Sequence, residues 1–126
     1  MVSIAGSREL ELVFFTMKNQ LRVLHIGQYI YDEMLTYIAE MCHQTLEKLE
    51  VNSEQVTDRG ITPLFTKMVN LKYIDLAGCP NFTGLAIFEA GEHYGAKCLK
   101  RFVHGLTDIH NKQKVTERLA EVAPEC

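Results

Sequence analysis

The chain has 126 residues, enough for one domain, and its 47% apolar and 23% charged content is that of a soluble fold, so disorder is not the default state. The formal net charge is -3 and no basic run occurs, which argues against nucleic acid as a partner. No apolar stretch approaches the roughly 20 residues of a membrane span, so no membrane partner is expected.

The first stretch, MVSIAGSRELELVFF, has no basic region ahead of its apolar residues and does not read as a secretory signal. Glu9 and Glu11 against Arg8 also argue against a mitochondrial presequence. Cys42, Cys79, Cys98 and Cys126 form no close pairs and are expected as reduced thiols in a cytoplasmic or nuclear protein. Cys42 and Cys79 read as small apolar residues packed between layers. Residues 1–20 read as an N-terminal capping helix or partial repeat. Phe14 stands seven residues before Leu21, as Leu64 does before Leu71, and FFTMKNQL echoes LFTKMVNL.

From Leu21 the chain repeats. LRVLHI, LEKLEV and LKYIDL begin at Leu21, Leu46 and Leu71, 25 residues apart, and LKRFVH begins at Leu99, 28 residues further on. The first, fourth and sixth positions of the first three phrases are apolar. A fixed period in the twenties means stacked units that bury their apolar faces against one another. The unit from 46 to 70 shows how. Its phrase alternates as a half-buried strand does, and SEQVTDRG, with Gly60, reads as a turn. Thr57 or Asp58 can cap a helix carrying Ile61, Leu64, Phe65 and Met68, with Pro63 near its start.

The other units follow suit. Met34, Leu35, Ile38 and Met41 form the expected stripe in repeat 21–45, and Phe82, Leu85, Ile87 and Phe88 in repeat 71–98. Segment 99–126 is a degenerate repeat with a C-terminal cap. His104 replaces the apolar sixth residue, and Thr107 or Asp108 leads a last helix through Val115, Leu119 and Val122, with Pro124 beyond. Asn52 and Asn81 are expected to tie the turns after their strands. The expected fold class is α/β: one domain shaped as a short solenoid, about four parallel strands on the concave side and helices on the convex side. A solenoid needs covered ends, so residues 1–6 or a partner should cover the edge of the first strand.

VNLKYIDLAGCPNFTGLAIF (69–88), VTDRGITPL (56–64) and MCHQTLEKLEV (41–51) resemble the cysteine-containing leucine-rich repeats of F-box proteins. The resemblance covers residues 10–105 and implies a leucine-rich-repeat solenoid that binds protein partners, including ubiquitin-ligase components. The sequence departs from the pattern at Gly84, where an Asp would follow Thr83, and it has no F-box helices. Small mitochondrial assembly factors also use a few such repeats, which gives an alternative role as an assembly or coupling factor.

Side chains alternate along a strand, and neighbouring parallel strands lie about 4.8 Å apart. Equivalent outward positions should therefore form two rows: Val23, Lys48, Tyr73, Arg101 and His25, Glu50, Asp75, Val103. A Tyr between two cations favours cation–π contact, and aromatics with Arg are the usual binding hot spots. His25, Lys48, Glu50, Tyr73, Asp75 and Arg101 are thus the candidate protein-binding residues, set against the alternative of an ordinary solvated face. His25 beside carboxylates also fits a general base, but no nucleophile shares its row and no phosphate-binding glycine motif occurs. His93, Cys98, His104 and His110 lack the close pairs of a zinc site; Cys98 is expected in the core and His93 and His110 in solvent. No catalytic residue, metal or cofactor is assigned, and the expected work is non-catalytic protein binding.

Overall fold

A computed structural model describes the backbone of Val2–Ile4 and the whole of residues 20–126. The described strands form one open, all-parallel sheet in chain order: β1 (Val2–Ile4), β2 (Val23–Ile26), β3 (Lys48–Val51), β4 (Tyr73–Leu76) and β5 (Arg101–His104). Parallel neighbours need crossover connections, and α1 (Asp32–Cys42), α2 (Asp58–Lys67) and α3 (Leu85–Glu89) supply them; α4 (Ile109–Val122) follows β5. The strands number five rather than about four, because β1 pairs with β2. The edge of the Leu21 strand is thus covered by the chain's own residues 2–4. The helix expected over 7–20 lies, except for Gln20, outside the described residues.

The period is visible as register. Leu24 pairs with Leu49, Leu49 with Ile74, and Ile74 with Phe102; Leu76 pairs with His104. Leu24, Leu49 and Ile74 are fully buried against Leu35, Ile38, Ile61, Leu64, Phe65 and Ile87 of the helices. Each such side chain contributes about 1.5–3 kcal/mol by leaving water. Phe65, Phe82, Tyr94 and Phe102 continue this core as an aromatic cluster with centroids 5.5–5.9 Å apart. Cys42 and Cys79 are buried as expected, and burial pushes the Cys42 thiol up to about 12. Cys98 is exposed, contrary to expectation, because Leu99 rather than Cys98 turns inward ahead of β5.

Side-chain bonds also span one repeat. Asp32 accepts from the Thr57 amide (2.8 Å) and hydroxyl (2.6 Å). Asp58 accepts from the Thr83 amide (2.9 Å) and hydroxyl (2.8 Å) and from the Ala86 amide (3.0 Å). Thr57 and Asp58 therefore do not cap their own helix; they latch one helix start to the next. Asn81 donates to the Glu54 carbonyl at 2.6 Å, as expected of a turn residue. The Asn52 side chain instead lies against Gly78.

Three helical expectations are corrected. Gly60 lies inside α2, not in a turn: a β-carbon there would come within 2.8 Å of the Asp32 Cα, so only glycine permits this approach of α1 and α2. Because α2 starts at Asp58, Pro63 sits beyond its first turn. In α3 the expected stripe is displaced: Ala86 and Ile87 are buried, whereas Leu85 is 54% and Phe88 40% exposed. Helix positions recur at 26, not 25: Asp32, Asp58, Gly84 and Leu35, Ile61, Ile87. In the first helix the stripe is Leu35, Ile38, Ala39 and Cys42, with Met34 and Met41 only partly buried.

Gly84 is also where the latch stops. Its φ of +97° suits glycine, and any β-carbon would strike Val115 of α4. α4 is capped by Asp108, which accepts from the Asn111 amide at 3.0 Å. Val115 is its buried anchor, with Leu119 and Val122 partly buried.

Candidate functional site

β2 to β5 each turn one pair of side chains away from the helices, and the sheet's register aligns them. Val23, Lys48, Tyr73 and Arg101 form one row, and His25, Glu50, Asp75 and Val103 the other. The burial of the strands alternates accordingly in β2, β3 and β4. All six candidate residues fall on this one face.

In the β2–β3 half the polar groups engage each other. Glu50 Oε2 lies 3.2 Å from His25 Nε2, and Glu50 Oε1 lies 3.6 Å from Lys48 Nζ. The His25 contact has ion-pair distance without hydrogen-bond alignment, so Nε2 is buried with no hydrogen-bond partner among the described residues. Lys48 Nζ also stands 4.7 Å from the centre of the Tyr73 ring.

The β4–β5 half is less closed. Arg101 Cζ stands 5.8 Å from the Tyr73 ring, so the ring is flanked by a cation from each neighbouring strand. Among the described residues the Arg101 guanidinium meets no carboxylate. Asp75 Oδ1 accepts from the Ala77 amide at 2.9 Å and pairs with no described cation.

A third row was not singled out from the sequence. Arg22, Glu47, Lys72 and Lys100 are the second residues of the four phrases. Arg22 Nη1 and Lys72 Nζ hold Glu47 at 3.2 and 2.8 Å. The Lys72 hydrogen bond and charge, then those of Arg22, hold the Glu47 carboxyl below the ordinary range, and Glu47 in turn raises Lys72. The alternation of sign at the second position of the phrase was the signal. Lys100 ends the row with no described carboxylate beside it.

Two larger grooves lie elsewhere, and neither is lined by any of the six residues. One, of about 490 Å³, runs between α3 and α4 over Leu85, Phe88 and Val115. The other, of about 620 Å³, lies between Tyr94 and Arg118 near the end of α4. His93 and His110 are exposed as expected, and no three His, Cys, Asp or Glu among the described residues converge on a point. No described helix is long and apolar enough to cross a membrane. No family model, curated protein or solved structure matches the chain.

Proposed function

We propose that the chain is a short leucine-rich-repeat solenoid that works without catalysis, binding a protein partner on the strand face turned away from its helices. One observation carries this reading: on β4, one strand in from the β5 edge, Tyr73 stands between Lys48 (4.7 Å) and Arg101 (5.8 Å). An aromatic ring held flat between cations loses little conformational freedom on binding, and Tyr and Arg supply most hot-spot energy. The phrase-by-phrase strand register supports the repeat class, and the resemblance to F-box proteins makes substrate reading in a ubiquitin-ligase adaptor the cellular setting of this proposal.

The test is affinity purification from cells with three forms of the chain: intact, Tyr73→Ala/Asp75→Ala/Arg101→Ala, and Lys114→Ala on α4. A partner kept by the intact and Lys114→Ala forms but lost by the triple variant, at equal melting temperature, is the expected result. Ligase subunits among the proteins so lost support the cellular setting. Equal capture by all three forms overturns the proposal.

A further inference from the structure

The strand face is not uniform in charge. At its β2–β3 end, Glu50 is flanked by His25 and Lys48, and Glu47 by Arg22 and Lys72. Each described carboxylate there already has its cations. At the β5 end the balance reverses. Lys100 and Arg101 are exposed and form no ion pair among the described residues. Asp75 is the one described carboxylate on the outward face of β4 and β5, and one of its oxygens is already engaged by the Ala77 amide.

Resting on the protein-binding reading, we infer that the partner presents an extended acidic segment to this end of the sheet, with one side-chain carboxylate received by Arg101 beside Tyr73. The guanidinium is a planar fork of donors matched to a carboxylate, and contact with Tyr73 restricts its orientation. Held over a ring, it stays available to a ligand while losing less rotamer freedom when it binds. Lys100, the residue before Arg101, adds positive field that steers an acidic chain to the same edge. A carboxylate is favoured over a phosphate because Asp75 sits two residues along β4 from Tyr73, about 6.6 Å away, and Glu50 neighbours it on β3. The single Arg101 guanidinium balances one negative charge, and the second charge of a dianion would face Asp75 without a cation of its own.

The experiment is selection of random linear peptides on the intact chain, with the enriched peptides resynthesised carrying Glu, Gln or phosphoserine at the enriched acidic position. Their affinities are measured for the intact chain, Arg101→Met and Tyr73→Ala. The expected result is enrichment of Asp or Glu at one position, with about tenfold weaker binding for the Gln peptide and for Arg101→Met. On Arg101→Met the Glu and Gln peptides should bind alike. Peptides that lose affinity on Tyr73→Ala yet show no acidic position overturn this inference and leave the protein-binding reading standing. A phosphoserine peptide that binds tighter than its Glu counterpart overturns the choice of carboxylate. No enrichment over a Tyr73→Ala/Arg101→Ala control overturns both.

Discussion

The two ends of the described sheet follow the same repeat with different completeness. Around β2 and β3, helices of 11 and 10 residues cover the sheet, Asp32 latches Thr57, and the strand-face charges are mutually paired. Around β4 and β5, α3 has five residues, Leu85 and Phe88 are exposed, Gly84 ends the latch, and Arg101 has no counter-charge among the described residues. A repeat that satisfies its own polar groups has little left to offer a partner. One that leaves a cation over a ring and apolar side chains in water has groups free to meet a partner. On the binding proposed above, recognition would use the end of the sheet whose polar groups are least engaged with one another.

The largest expected effect comes from breaking the closed end. Leu49 is fully buried in the middle strand of the sheet. Leu49→Ala is expected to cost about 3 kcal/mol, measured by urea unfolding, because the packed helices above it cannot collapse into the vacated space. A loss well under 1 kcal/mol would mean that this end is no better packed than the other.

Next comes the junction of the two ends. Asp58 takes three hydrogen bonds from Thr83 and Ala86. Asp58→Ala is expected to cost about 1–2 kcal/mol, the scale of lost charge-assisted bonds at a partly exposed site. The more telling readout is hydrogen exchange. Protection should fall in α3 and β5 and stay unchanged in β2, β3 and α1, since the latch of Asp32 to Thr57 is untouched. Uniform loss of protection would show that the ends are one cooperative unit.

These contrasts were partly legible in the sequence. Leu21, Leu46 and Leu71 fix the strand register because pairing in a parallel sheet repeats with the chain, and both outward rows follow from it. The helix layer was harder. Its positions drift by one residue per unit relative to the strands, and a stripe drawn through the large apolar residues at helical spacing put Leu85 and Phe88 inside and overlooked the small Ala86. Thr57 and Asp58 read as a cap because a cap and a latch use the same residue types; only the neighbouring repeat's position separates the two. β1 is three residues long, too short for its alternation to stand out. Gly60 reads as a turn because the approach of Asp32 that requires it is a tertiary contact.

A smaller effect depends on pH. His104 takes the place at the open end that apolar residues hold at the closed one. Burial, then the charge of Lys112, hold it below the ordinary histidine range. Its Nδ1 accepts from the Leu106 amide at 3.3 Å, which needs the unprotonated ring nitrogen. The unfolded chain therefore binds a proton more readily than the folded one. The neutral ring's contribution is complete above about pH 6.5 and declines as pH falls from there towards the lowered folded value. The melting temperature should drop across that window in the intact chain and drop less in His104→Asn, which keeps an acceptor without the titration. Equal drops would assign the acid sensitivity to other groups.

The smallest expected effect tests whether the open end carries polar groups at a cost. Tyr94 is 4% exposed, stacks on Phe65 with centroids 5.9 Å apart, and its hydroxyl has no partner among the described residues. Burial raises its pKa above the ordinary tyrosine range. Tyr94→Phe keeps the ring and removes only the hydroxyl. A buried donor without a partner costs more than it returns, so the variant should be as stable as the intact chain or more stable by up to about 1 kcal/mol. The hydroxyl borders the groove that Arg118 also lines, not the strand face. Peptide affinity at Arg101 should therefore be unchanged by the same substitution. Destabilisation by Tyr94→Phe would mean that the hydroxyl is satisfied in solution and that the open end is better ordered than its partnerless groups imply.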